Sequence, residues 1–114
     1  MLMKRAAVGP SHIEGWGLLA TEQVPGGEVI DESPLLITRQ RIPRSFEAHV
    51  YRLDDGRFAM PCGDGVFTNH ASEPNAEPRL DRRRRVIVLV ARRAIRIGEE
   101  VTIDYGQPLA CTAG

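Results

Sequence analysis

The sequence predicts a mostly β domain built from many short strands. Three observations predict it. Apolar residues come in short runs broken by Gly and Pro at close intervals. The longest unbroken run, Val86 to Ala91 (VIVLVA), is rich in β-branched residues. Only one short segment reads as helix.

Taken in chain order, Leu18 to Val24 (LLATEQV) is a first strand, stopped by Pro25-Gly26-Gly27. Glu28 to Thr38 (EVIDESPLLIT) carries Pro34 in its middle, which predicts a bend or a sheet edge because proline has no N–H for a ladder. Ile42 to His49 is the candidate helix, with Pro43 near its start and Ser45 as another cap. Ala48 to Leu53 (AHVYRL) and Arg57 to Met60 flank Asp54-Asp55-Gly56, and a DG between apolar residues signals a hairpin. Val86 to Ala91 reads as a buried strand. Val101 to Tyr105 (VTIDY) is the last strand, entered from a turn at Gly98-Glu99-Glu100.

The 114 residues predict one domain spanning 1–114 with a single core. Formal net charge is zero, so the molecule as a whole is not a polyanion binder. No apolar run is long enough for a membrane span, and the N-terminus MLMKRAAVGPSH has no continuous apolar core of a signal peptide. Cys62 and Cys111 are too few and too isolated for a disulfide framework or a CxxC metal site, so two free thiols in a reducing cytoplasm, and no metal, are expected. Cytoplasmic residence follows, or nuclear residence in a eukaryote.

Three motifs carry chemistry. Gly15 to Ala20 (GWGLLA) fits the dinucleotide pattern G-x-G-x-x-G/A, but that pattern needs a strand before it and a helix after it. Pro25-Gly26-Gly27 intervenes before two helical turns could form, so no βαβ unit fits. A tight β turn with exposed backbone accounts for Gly15 and Gly17, since glycine accepts φ > 0 and close approach. Phe67 to Ala76 (FTNHASEPNA) packs amide, imidazole, hydroxyl and carboxylate groups around a proline, more than a plain surface turn requires. Gly98 to Gly106 (GEEVTIDYG) closes the series.

GWG, then TNHASEPN, then GEEVTIDYG, in this order on a β-rich background, resemble the SET-domain family of protein lysine methyltransferases over almost the whole chain. The resemblance implies a SET-domain (β-clip) fold of several small sheets, with knot-like threading of the C-terminal segment beneath a loop. It implies S-adenosylmethionine as methyl donor and a protein or peptide lysine as substrate. By the resemblance, Asn69, the main chain at His70 and the backbone of Gly15, Trp16 and Gly17 contact the donor, while Pro74 and Asn75 hold the loop. Tyr105 falls on the catalytic tyrosine. Tyr51 matches a tyrosine of the lysine channel with a catalytic contribution, and Ile103 lies where relatives place an aromatic residue that limits methylation. Glu99, Glu100 and Asp104 read as hydrogen-bonders of the knot. The chain departs from the family pattern at Ala71, where serine is usual, and at Ser72, where many relatives have a zinc-binding cysteine. Gly63 to Phe67 (GDGVF) also lacks the tyrosine that many relatives carry there.

Those gaps leave a second reading, a SET-like binding module that keeps the fold and transfers nothing. Eight arginines against one acid between Arg79 and Arg96 offer either a solvated hairpin end or, at Arg82 to Arg85, a patch for an acidic partner. With only nine residues after Tyr105, a second copy is expected to cover the lysine channel, making a homodimer.

Overall fold

Alternation of buried and exposed positions sorts the chain into ten short strands among the described residues. The computed structural model describes residues 2–40, 50–53, 55–106 and 109–111. A first sheet forms when β1 (Ala6–Pro10) folds back antiparallel on β2 (Trp16–Ala20). The chain returns to that sheet much later: β9 (Glu100–Ile103) pairs with β2, and β6 (Asn69–His70) lies parallel to β9. The second sheet has the order β10 (Ala110–Cys111), β7 (Ala76–Asp81), β8 (Val86–Ala91), β3 (Val29–Thr38), β5 (Phe58–Pro61), β4 (Tyr51–Arg52). The architecture is the mostly β arrangement of small sheets that the sequence predicts.

All six residues of β8 are buried, which is why that strand reads as one apolar run rather than an alternation. Leu89 and Ala91 join the main core with Leu18, Val24, Ile30, Ile95 and Val101. Val86, Val88 and Val90 line the other side with Leu2 and Val29. A third cluster, Leu53, Ala59 and Leu80, gathers Tyr51 and Leu109 around it.

Four local readings need adjustment. Pro34 does not end β3. It lies inside one continuous strand, opposite Val86, and from Leu35 onward the strand pairs with β5 instead of β8. The missing N–H therefore falls where β3 changes partner. The first predicted strand stops at Ala20, and Val24 rejoins the fold through a two-bond bridge with Ile95. β1 went unread because Gly9-Pro10 at its end looks like a turn. β7 carried a legible period of two, with Ala76, Pro78 and Leu80 inward, masked by Pro78 and the nearby arginines.

The DG hairpin stands between β4 and β5, with the Leu53 amide donating to the Arg57 carbonyl at 2.8 Å and Gly56 at φ 85°. The helix expected over Ile42 to His49 lies outside the described residues. Arg82 to Arg85 form the exposed β7–β8 turn. Arg84 serves the fold, since its guanidinium grips the Glu32 carboxylate at 2.5 and 3.2 Å and holds that carboxyl below its ordinary range.

Candidate active site

The site begins at the β1–β2 turn. The Ser11 amide donates to the Gly15 carbonyl at 2.9 Å, and Gly15 takes the left-handed φ of 53° that closes the turn. Gly17 is glycine for a different reason. A Cβ there would lie 2.7 Å from Oε2 of Glu100 and 3.1 Å from Cβ of Ser11. The close approach inferred from the glycines is made by a carboxylate of the same chain.

Glu100 is the hub of this end of the molecule. Its buried carboxylate accepts from the Ser11 hydroxyl at 2.8 and 2.9 Å, the His12 amide at 2.9 Å and the Asn69 side-chain amide at 3.0 Å. Burial by itself pushes such a carboxyl up. The bonds from Asn69, Ser11 and His12 outweigh it, and the group sits below the usual carboxylate range. The same Asn69 amide reaches the Trp16 carbonyl at 3.0 Å, the Ser11 hydroxyl at 3.1 Å and the Glu14 carbonyl at 3.3 Å. One amide thus ties the polar loop to the glycine turn.

That loop then arches over β9. Asn69 and His70 pair with Thr102 and Ile103, and the Ala71 amide donates to the Ile103 carbonyl at 3.0 Å. The serine that Ala71 replaces is not needed for this pairing, which is main-chain only. At the far end, Asn75 accepts from the Thr102 amide at 2.8 Å and donates to the Glu100 carbonyl at 2.8 Å. Glu99 completes this end, with Asn75 at 3.4 Å and Arg93 at 2.6 Å. Glu99 and Glu100 hold the crossing together, and no bond to a reacting group is required of them.

Just beyond β9, Tyr105 meets the start of the loop. Its main-chain amide donates to Nδ1 of His70 at 3.0 Å. The two rings stand 5.3 Å apart. The Tyr105 hydroxyl donates to the Thr68 carbonyl at 2.7 Å. Burial, and then the Glu14 charge, push this hydroxyl above its ordinary range, so it stays protonated at neutral pH. Burial raises Tyr51 strongly, with a smaller contribution from Tyr105 nearby.

The structure thus brings together Gly15, Trp16, Gly17, Asn69, His70 and Tyr105. Tyr51 packs in the neighbouring cluster around Leu80. Ile103 is only 4% exposed and belongs to the main core. Asp104 accepts from the Gly106 amide at 2.9 Å, and its carboxylate stands 3.8 Å from Nδ1 of His70 on the loop. Ser11 and Thr68 were missed. Ser11 sits in a segment that sequence alone reads as an ordinary turn, and Thr68 acts through its main-chain carbonyl. Among the described residues no group of three or more His, Cys, Asp or Glu could hold a metal ion, and Cys62 is an exposed free thiol.

A β domain of small sheets whose late strand is clamped under a polar loop, with a tyrosine hydroxyl at the loop's edge, is a β-clip domain. A family model described as the SET domain matches residues 15–106, and the chain belongs to that family. A histone-lysine N-methyltransferase of Mycosarcoma maydis, H3 lysine-4 specific, is 31% identical over 118 residues, covering 90% of this chain and 8% of that protein. Its Schizosaccharomyces pombe counterpart is 32% identical over 120 residues, covering 92% of this chain and 13% of the relative. The chain therefore spans a small part of these relatives. A crystal structure of a Plasmodium falciparum protein assigned as a histone methyltransferase superposes with a TM-score of 0.82 at 25% identity, covering 92% of this chain and 96% of the other.

Proposed function

We propose that this chain is a protein-lysine N-methyltransferase domain that uses S-adenosylmethionine. The observation that carries the reading is the Tyr105 hydroxyl held on the Thr68 carbonyl, one residue from Asn69, whose amide grips the Gly15-Trp16-Gly17 turn. The residues fit such a donor. Oδ1 of Asn69 accepts no hydrogen bond among the described residues and is open to an ammonium donor. Trp16, bonded to the same Asn69 through its carbonyl, is 62% exposed as a residue and offers its indole to a flat ring. In this reading Asn69, the His70 main chain and the Gly15-Trp16-Gly17 backbone hold the donor.

When bound, S-adenosylmethionine supplies an electrophilic methyl group on a sulfonium. The chain's own residues supply alignment. The Tyr105 hydroxyl already points its hydrogen at the Thr68 carbonyl, so its oxygen turns lone pairs outward and accepts an N–H of the lysine amine. That bond fixes the direction of the amine's own lone pair, which is worth several orders of magnitude when attack must be in line. The protonated phenol takes no proton, so the lysine releases its own to bulk solvent before attack, a loss favoured by the apolar surroundings of Tyr51. Ile103, smaller than an aromatic residue and packed behind the site, leaves room for successive methylation.

Calorimetry tests the donor site. S-adenosylmethionine or its demethylated product binds the wild type, and Asn69→Ala weakens binding at least several-fold. Equal affinity in both proteins means the pocket lies elsewhere. A wild type that binds donor yet methylates no peptide supports the non-catalytic module instead.

A second copy covering the exposed Trp16 and Tyr105 belongs to the same proposal, although Leu109 already packs against the Tyr51 cluster and closes part of that end. Light scattering at micromolar concentration, with and without donor, decides between dimer and monomer. An acidic partner at Arg82 to Arg85 would have to engage residues other than Arg84, which Glu32 occupies.

A further inference from the structure

The segment Gly63-Asp64-Gly65-Val66-Phe67 lacks the tyrosine expected there and instead forms a 3-10 turn, Asp64–Phe67, directly before Thr68. Its glycines close onto β3. A Cβ on Gly63 would lie 2.9 Å from the Ser33 Oγ, and one on Gly65 only 2.8 Å away. Ser33, fully buried, accepts from the Gly65 amide at 3.1 Å and donates to Oδ2 of Asp31 at 3.1 Å. Asp31 is also fully buried and is paired through Oδ1 with Lys4 at 3.2 Å.

The turn continues toward the site. The Gly65 carbonyl accepts from the Thr68 amide at 3.2 Å and the Thr68 hydroxyl at 2.8 Å, and the Thr68 carbonyl receives the Tyr105 hydroxyl. Five residues therefore form one unbroken chain of bonds, from Asp31 through Ser33, Gly65 and Thr68 to Tyr105. Burial pushes the Asp31 carboxyl up, and the charge and hydrogen bond of Lys4 and the bond from Ser33 oppose that push.

We propose that Asp31 and Ser33 are positioning residues for Tyr105: they anchor the 3-10 turn, and the turn fixes the Thr68 carbonyl that aims the tyrosine hydroxyl. This rests on the methyl-transfer reading for its kinetic consequence but not for its structural one. Removing the Ser33 hydroxyl frees the Gly65 amide and lets the turn and the Thr68 carbonyl shift, while Tyr105 keeps every atom.

The test uses Ser33→Ala, with Val88→Ala as a control that loosens the Val86–Val88–Val90 cluster, which includes neither Ser33 nor any residue of the turn. Tyrosine labelled at the ring carbon bearing the hydroxyl gives two NMR signals, from Tyr51 and Tyr105, assigned with Tyr51→Phe. Without any donor present, Ser33→Ala shifts the Tyr105 signal and Val88→Ala does not. With donor and peptide, Ser33→Ala lowers kcat about tenfold while the peptide KM stays within about twofold, the split expected of lost alignment. A Tyr105 signal unmoved in Ser33→Ala, or moved equally by Val88→Ala, overturns the proposal whether or not the domain methylates. A wild type that transfers no methyl group overturns the functional reading and leaves the NMR result standing on its own.

Discussion

Tyr105→Phe is expected to lower methyl transfer on the order of a hundredfold, while fold and donor affinity stay close to wild type. The magnitude is that of losing one prearranged polar contact to the reacting group. Only an oxygen is removed. The His70 contact to the Tyr105 main chain survives, as does the ring packing, so the loop over β9 stays closed. The one bond lost inside the protein is that from the hydroxyl to Thr68, worth about 1 kcal/mol. Single-turnover kinetics with a lysine peptide, alongside calorimetry for the donor, checks both halves. A mutant as active as the wild type removes Tyr105 from the chemistry.

Glu100→Gln is expected to have the largest effect on stability, about 1–3 kcal/mol. The Ser11 hydroxyl already accepts from the Ile13 and Glu14 amides and from Asn69, so its own proton must go to Glu100. A glutamine has one oxygen for the three groups that now donate to two, and its NH2 must face another donor. Thermal or urea unfolding gives the difference. The pH dependence carries a sign. Glu100 has a folded-state value below its unfolded one, so its contribution is fully present above about pH 4.3 and is lost as pH falls through the lower folded value. The gap between wild type and Glu100→Gln should narrow over that acid range and stay constant above it. Because Asn69 loses a partner in the same substitution, donor affinity should fall as well.

What could be read from the sequence was whatever local chemistry dictates. Gly15 and Gly56 announced turns because their positive φ values are hard for other residues, and the run at Val86 announced a strand buried on both faces. The three motifs marked the site because each stays contiguous when the chain folds. What was hidden is non-local. Ser11 and Glu100 are 89 positions apart, and neither residue type nor spacing reveals that one hydroxyl serves the other's carboxylate. Gly63 and Gly65 looked like loop punctuation, yet both are small because Ser33 of another strand comes within contact distance. Pro34 was read by its own propensity, whereas its tolerance comes from the switch of partners along β3.

The insertion of β9 between β2 and β6 also governs how the molecule comes into being. The hub carboxylate, the clamp on Asn75 and the tyrosine all arrive with the last stretch of chain, long after Ser11 has been made. Closing so distant a contact costs entropy before any burial rewards it, so folding is slow for a domain this small. Until that stretch is seated, neither half of the site exists, and the main core lacks Val101 and Ile103. Completion of the candidate site and of the core are therefore one event. A ligand bridging the glycine turn and the polar loop acts mainly as a brake on unfolding, since the contacts it reinforces are among the last to form.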